Sequence, residues 1–475
     1  MATLSLLMLR DGSMPFAEDG SGDVLSTFNR AVLGQVFYTT NNFELRSDFI
    51  DEWIWNKDEK SYEFRLKANL KFHDGSEILA EDLEFALLRG YFTKWRSFYG
   101  IYLENIIGID ALKEDVVFQS GLVGGVRITG PLSLKLFLKN ANPNFIYGFS
   151  RAFFCFHHRL SYQDDLTTWR ALPLGAGAYS VDSVEGNALI LDRKKSVSGP
   201  EKVHIYTREV NGVAFDISFF PHEKTTEIYA TKEPSAIYTL FFTNKNELSL
   251  NTHFRRAIKL GVDRNAISSA VPHSNPAVDF LPNSAWRSAK AADSEFDRNE
   301  ARRLFSMIPS TIRLRVWRIP VFCNGEFSEQ QKKANEQLAI QLGEIGMRVE
   351  FYPSKEKFLS EDRAVETPFS LSGRVCNIAD PLLMFSSFKT GSAYKYDNAQ
   401  NDKVFDQLYE RAASASTSAE RLEMLKQVSE YAVTGNFMIP LYEEPQIYFY
   451  NPNTVESLGN QSNPITLFLE EIVMR

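Results

Sequence analysis

The stretch LKFHDGSEILAEDLEFALLRGYF, residues 70–92, sets His73 beside Asp74, with Glu77, Glu81 and Asp82 close behind. Read as chemistry, an imidazole next to a carboxylate could act as a general base and acid. Read as a metal site, the pair needs three or four ligands in all, and the acids that follow could complete the set. Local structure offers a plainer account. Asp74-Gly75 is a strong turn dipeptide. Glu81 and Asp82 fall in the first turn of a helix, where unsatisfied N–H groups favour negative charge. Leu83, Ala86, Leu87 and Gly90 then recur as that helix's buried stripe. Turn and helix start together account for every polar residue here except His73.

Other constellations carry less. H-E-x-x-H, G-x-x-x-x-G-K-[ST] and G-x-S-x-G do not occur. GAGAYS, residues 175–180, opens like a dinucleotide loop, but a phosphate cradle requires a helix next, and Tyr179 and Val181 begin a strand. His157 and His158 are adjacent, so in regular structure their side chains diverge and do not share a metal. Cys155, Cys323 and Cys376 lie far apart and form no C-x-x-C. They exclude a disulfide scaffold and leave at least one thiol unpaired; whether Cys323 and Cys376 meet is open.

The elements that must position these residues are legible as periods. In SYEFRLK, residues 61–67, Tyr62, Phe64 and Leu66 alternate with Glu63, Arg65 and Lys67, which predicts a half-buried strand. Leu132, Leu134, Leu136 and Leu138 predict another, and residues 178–192 a hairpin turning at Glu185-Gly186-Asn187. The start, LSLLMLR, reads as a first buried strand. Later the period lengthens: Ala334, Leu338, Leu342 and Ile345 predict a helix capped by Gly346, with a strand through Met347, Val349 and Phe351. Val404 to Ala412 and Leu422 to Ala432 predict two more helices, and FMIPLY at 437–442 a strand. The fold class is mixed α/β, with the helices concentrated in the second half.

At 475 residues the chain is long enough for two or three domains, and no repeat or low-complexity linker separates them. Lys and Arg number 52 against 60 Asp and Glu, a net charge of −8, which argues against a nucleic-acid partner because phosphate binding needs a basic face. No uncharged apolar run is long enough to span a bilayer. MATLSLLMLRDGS lacks the basic and apolar regions of a signal peptide, so either the protein is cytoplasmic or an export signal has been removed.

FIDEWIWNKDEKSYEFRLKANLKFHDGSEILAEDLEFAL, residues 49–87, resembles the signature region of the family 5 extracellular solute-binding proteins, the dipeptide- and oligopeptide-binding components of ABC importers. The matching positions are Trp53, Trp55, Tyr62, Phe64, Leu66, Lys71 to Gly75 and Ala80 to Asp82. Leu79 departs from the family's usual capping Thr, which weakens the helix start. PLGAGAY (173–179), FRRAIKLGVDRNAI (254–267, a helix in the family pattern), LAIQLGEIGMRVEF (338–351) and IPLY (439–442) extend the likeness in order. The resemblance implies a two-lobed periplasmic-binding-protein fold (type II, large cluster C). Lobe I would take residues 1–33, 151–236 and 438–475, with an extra subdomain at 34–150; lobe II would take 237–437. Crossings near 237–244 and 434–440 would be the hinges, and closure would trap a solute without altering it. No catalytic residue, cofactor or metal is implied. The partners implied are a small molecule or short peptide and an ABC permease in the membrane, the protein being an extracytoplasmic or periplasmic monomer whose export signal is missing from this chain.

Peptide-binding members hold the ligand's ammonium with the first Asp of Gly-Trp-x-x-Asp-x-x-Asp-Pro. Here the segment is Gly373-Arg374-Val375-Cys376-Asn377-Ile378-Ala379-Asp380-Pro381, so Arg374 stands for the Trp and Asn377 for the Asp. Exchanging an anion for an amide beside a new cation points to an anionic or N-blocked ligand held by a guanidinium. Alternatively, Arg374 pairs with a nearby carboxylate and faces solvent. Gly373, Arg374, Cys376 and Asn377 are therefore the candidate substrate-binding residues, joined by Ser13 and Met14 in RDGSMPF and by Trp286, with Arg287 beside it, in LPNSAWRSA. Two rival functions are a ligand-sensing module of a regulator with this fold and an enzyme built on His73 and Asp74. The acidic balance counts against a DNA-bound regulator.

Overall fold

The computed structural model describes the chain apart from residues 1–2, 9–21, 41–43, 114–115, 232–233, 283–295, 324–325, 357–358, 377–379, 393–395, 397–398, 416 and 462–465. The described chain divides into two compact units, one of Met1–Lys232, Asn377–Asp380 and Gln446–Arg475, the other of Glu233–Cys376 and Pro381–Pro445. Among the described residues no helix is long and apolar enough to cross a membrane.

The first unit holds a seven-stranded sheet in the order Glu227–Ala230, Ile447–Tyr450, Ile217–Ser218, Thr3–Leu7, Lys202–Tyr206, Ala188–Arg193, Tyr179–Glu185. Thr3–Leu7 runs parallel to both of its neighbours, and Leu4, Leu6 and Leu7 are fully buried, as a central strand requires. The predicted hairpin is present, with Gly186 supplying the positive φ of its turn. A separate four-stranded antiparallel sheet orders Ile50–Asn56, Ser61–Leu66, Ser133–Phe137 and Val126–Gly130. Tyr62, Phe64 and Leu66 pack there with Leu83, Ala86 and Leu87 of the helix Ala80–Leu88. Leu79 contributes no cap to that helix, but Asp82 Oδ2 accepts the Leu79 N–H at 2.9 Å, so half of a capping box survives.

Arg30 ties distant parts of this unit together. Its guanidinium pairs with Asp48 and with Glu470 at 3.0 Å, and lies 4.6 Å from the Tyr38 ring and 4.4 Å from the Phe468 ring. The side chain is only 10% exposed, so these partners replace water around a buried cation.

The second unit is built on a six-stranded mixed sheet: Asn275–Pro276, Met438–Glu444, Ala236–Phe242, Phe369–Val375, Val316–Phe322, Arg348–Ser354. Ala236–Phe242 is antiparallel to both of its neighbours. Tyr238, Leu240, Phe242, Phe369 and Leu371 join one core with residues of the helices Thr252–Gly261, Arg264–Ala270, Arg298–Ser306 and Glu329–Ile345. Phe241 instead meets Phe280 and Phe388, and Phe388 meets Phe405 and Phe437, in a second aromatic core. The segment 254–267, expected as one helix, is two. The first ends at Gly261, where Val262 turns extended, and Asp263 caps the second by accepting the Ala266 N–H.

The chain enters this unit ahead of Ala236–Phe242 and leaves after Met438–Glu444, and the two strands pair directly, Ala236 opposite Glu444. Burial pushes the Glu444 carboxyl up to about 7.

Two outcomes are expected. Arg30→Ala, which leaves Glu470 without its cation, should destabilise the first unit by about 3 kcal/mol in denaturant melts, more than Asp48→Ala alone. A carboxyl raised in the fold is most stabilising while protonated in both states and loses that contribution as pH rises through about 7. Glu444→Gln should therefore raise stability by about 2 kcal/mol at pH 8 and leave it unchanged at pH 4.

Candidate functional site

His73 and Asp74 turn out to serve the backbone. The His73 N–H donates to Gly175 O at 2.9 Å, and its Nε2 lies 3.1 Å from Gly177 O, which makes Nε2 the protonated nitrogen. Burial pulls the His73 pKa down to about 4, against the opposing pull of the Gly177 carbonyl, so the ring is neutral near pH 7. Asp74 accepts from Ser76 N–H at 3.0 Å and Ser76 Oγ at 2.6 Å, closing its own turn. Glu81 pairs with Arg159 at 2.9 Å. His157 Nδ1 meets the Tyr162 hydroxyl at 2.6 Å, while the His158 ring stands edge-on to Phe72, so the adjacent rings diverge. Among the described residues no group of three His, Cys, Asp or Glu could hold a metal ion.

The loop that His73 holds explains GAGAYS. Ala176 N–H and Gly177 N–H donate to Leu33 O and Val32 O, each at 2.9 Å, and Lys194 Nζ donates to Ala176 O at 2.8 Å. A Cβ at Gly177 would stand 2.2 Å from Ala31 O, so only glycine lets the two backbones approach this closely.

The segment expected to meet ligand leaves the second unit's sheet. Gly373 lies opposite Tyr238 and Arg374 opposite Ile237 in strand Phe369–Val375. Alternation turns Arg374 toward the Phe241 side, where its guanidinium lies 5.0 Å from the Phe241 ring centre. Gly373 is exposed, and a methyl group added there would meet nothing within 4 Å. Cys376 is fully buried, and its N–H donates to Ser235 O at 2.8 Å, anchoring the segment to the entering chain. Asn377, Ser13, Met14, Trp286 and Arg287 lie outside the described residues.

Cys155, Cys323 and Cys376 are all buried, and none of them forms a disulfide. The pairing of Val321 with Leu371 places Cys323 level with Gly373. Cys376 is therefore about 10 Å further along the strand direction.

Sequence reasoning passed over the polar contact that steadies this end of the sheet. The Tyr238 hydroxyl donates to Asn335 Oδ1 at 3.1 Å with both residues buried, and the Tyr238 ring packs on Tyr442 at 5.1 Å. The available signal was an amide at 335, on an inward helix face that Ala334, Leu338, Leu342 and Ile345 make largely apolar and that Gln341 also joins.

Comparison with known proteins gives one consistent result. The model for bacterial extracellular solute-binding proteins, family 5 Middle, matches residues 44–213 and 211–396. The dipeptide-binding protein DppE of Bacillus subtilis is 22% identical over 441 residues, 84% of this chain and 79% of that protein. The oligopeptide-binding protein OppAIV of Borrelia burgdorferi superposes with a TM-score of 0.79 at 16% identity, covering all of both chains. Haemophilus influenzae OppA, solved with the peptide RPPGFSPFR, gives 0.78 at 14% identity, covering 100% of this chain and 99% of that one.

A pKa depressed in the fold contributes stability that is full above the unfolded value near 6.5 and is lost as pH falls through about 4. His73→Gln, whose amide can still donate to Gly177 O, should flatten the loss of stability between pH 6.5 and 4 by about 2–3 kcal/mol. Denaturant melts at stepped pH measure this, and ligand affinity at pH 7 should not change.

Proposed function

We propose that this chain, which belongs to the bacterial extracellular solute-binding proteins of family 5, captures a peptide or peptide-like solute and delivers it to the permease of an ABC importer. The match across residues 44–396 carries this reading. Relatives named for dipeptide and oligopeptide binding support the solute class. The work is done outside the cytoplasmic membrane by a monomer that closes over its ligand between two lobes. Lobe I takes residues 1–33, 151–236 and 438–475 with the subdomain 34–150, and lobe II takes 237–437. Affinity then comes from contacts made only in the closed state, and the solute leaves chemically unaltered.

The ligand is anionic or blocked at its amino end. This finer reading rests on Arg374 at the Trp position and Asn377 at the Asp position of the family's Gly-Trp-x-x-Asp-x-x-Asp-Pro segment. An ammonium enclosed without its carboxylate loses about 3–5 kcal/mol, the cost of breaking a buried ion pair. That is two to four powers of ten in affinity, enough to turn such a site away from free-amine peptides. A guanidinium offers paired donors to a carboxylate or to an acyl oxygen, and the Phe241 ring beneath Arg374 limits its orientation. Gly373 leaves the strand surface open, and Cys376 holds the segment by its backbone. Ser13, Met14 and Trp286 complete the proposed contact set.

Calorimetric titration with di- to pentapeptides and their N-acetylated forms tests this. The acetylated set should bind at least tenfold more tightly, Arg374→Ala should weaken it, and Asn377→Asp should recover free-amine binding. Tight binding of the free-amine peptides alone would overturn the finer reading and leave the solute-binding role intact.

A further inference from the structure

Three strands of the second unit's sheet run in one direction. Phe369–Val375 and Met438–Glu444 are both antiparallel to Ala236–Phe242, and Val316–Phe322 is parallel to Phe369–Val375. Their carboxyl ends therefore gather at one end of the sheet, the end at which α/β sheets usually hold ligands.

Register fixes what shares a face there. Tyr442 lies opposite Tyr238 and Tyr238 opposite Gly373, while two residues further out Glu444 lies opposite Ala236 and Ala236 opposite Val375. Because alternate side chains point the same way, Glu444 stands on the face of Tyr442, Tyr238 and Gly373, and Arg374 stands on the other. The outer row of Glu444, Ala236 and Val375 is partly exposed, and the space at Gly373 is open, whereas both tyrosines behind it are buried. The result is a shelf that ends in a carboxylate.

That carboxylate is unmatched. The Glu444 main-chain O accepts the Ser235 N–H at 3.1 Å, but among the described residues its side chain has neither an ion pair nor a hydrogen bond. Burial alone raises it, with no cation to pull it down. The titratable groups that face it are acids as well. Burial, and after it the Cys323 and Glu444 charges, hold the Tyr238 hydroxyl well above the usual phenol range; burial and then Glu444 do the same to Tyr442. Asn335 gives its Oδ1 to the Tyr238 hydroxyl, and its enclosed Nδ2 has no acceptor. Two polar groups at this end thus lack a partner, where interiors almost always supply one. A desolvated carboxylate without a counter-ion costs the fold stability, and one that solvent can still reach has the character of a binding group.

We infer that Glu444 receives an ammonium group of the captured solute, which is therefore basic, in the manner of a lysine side chain, at a point remote from its blocked or anionic end. The inference rests on the capture reading above and narrows it. An ammonium set against this carboxylate supplies the attraction that no residue of the chain provides, whereas a neutral group gains little and an anion is repelled. Arg374 and Glu444 stand on opposite faces of one sheet end, so a solute lying across that end meets a guanidinium on one side and a carboxylate on the other.

Calorimetry on the intact chain at pH 8, where the Glu444 carboxyl is ionised, tests this with N-acetylated tripeptides carrying one lysine at each position in turn. Each is paired with its norleucine counterpart, which has nearly the same shape and no charge. The best lysine peptide should bind at least tenfold more tightly than its norleucine partner, and a glutamate in the same position should bind more weakly than either. Glu444→Gln, expected above to gain stability at this pH, should bring the lysine-to-norleucine ratio to about one. A ratio near one at every position in the unaltered protein, or a ratio that survives Glu444→Gln, overturns the inference and leaves the capture reading standing. Should no acetylated peptide bind, with lysine or with norleucine, the blocked-ligand reading fails and takes this inference with it.

Discussion

Strand Ala236–Phe242 is hydrogen bonded along both edges, to the strand that leaves the unit on one side and to the strand that carries Arg374 on the other. Because side chains alternate across a sheet, a slip of one residue in either register would exchange the faces of every residue that follows. Tyr238, Leu240 and Phe242 would trade places with Ile237, Thr239 and Phe241, and each of the two cores would receive the wrong set. The register is therefore fixed by burial on both faces, and the placement of Gly373 and Arg374 follows from it. A bulge between Tyr238 and Thr239 is absorbed against the departing strand alone, which leaves the pairing with Phe369–Val375 regular.

The first unit depends on backbone groups being satisfied at close range. The Gly175–Gly177 loop lies so near Ala31–Leu33 that no side chain fits between, and its carbonyls are met by His73 and Lys194 rather than by water. A neutral histidine suits this position, since a buried imidazolium would need a counter-charge and Lys194 nearby opposes one. What looked like an acid–base pair in the sequence is a donor for a glycine loop next to a self-capped turn. The same physics makes His157 a partner for the Tyr162 hydroxyl instead of a ligand.

Local periodicity was a good guide wherever a single element buries a single face. The strands Ser61–Leu66 and Ser133–Phe137, the hairpin at Gly186 and the helix Glu329–Ile345 with Gly346 at φ +100° all follow from spacing alone. Spacing is silent on long-range partners. Arg30 gives no local sign that Glu470 will neutralise it across the length of the chain, nor does LSLLM reveal parallel neighbours at 202–206 and 217–218. The helix pair at 252–270 was hidden because the family pattern offered one helix over 254–267, whereas the capping role of Asp263 depends on the local turn. Of the candidate site, Gly373, Arg374 and Cys376 could be followed into the fold. Asn377, Ser13, Met14 and Trp286 could be reached through motif likeness only.

The manner in which the candidate segment is held bears on how selectivity can change within this architecture. Strand Phe369–Val375 is fixed by main-chain bonds to Ala236–Phe242 and by Phe369 and Leu371 in the core, and Cys376 is tied through its own N–H. None of these interactions uses the side chain at 374. An arginine can thus occupy a position written for tryptophan by laying its planar guanidinium over Phe241, keeping a flat contact while adding charge. Swapping Asp for Asn at 377 likewise alters charge at nearly constant shape. Likeness at 14–22% identity therefore shows the fold alone, and the chemistry of a ligand lies in the side chains that the fold carries.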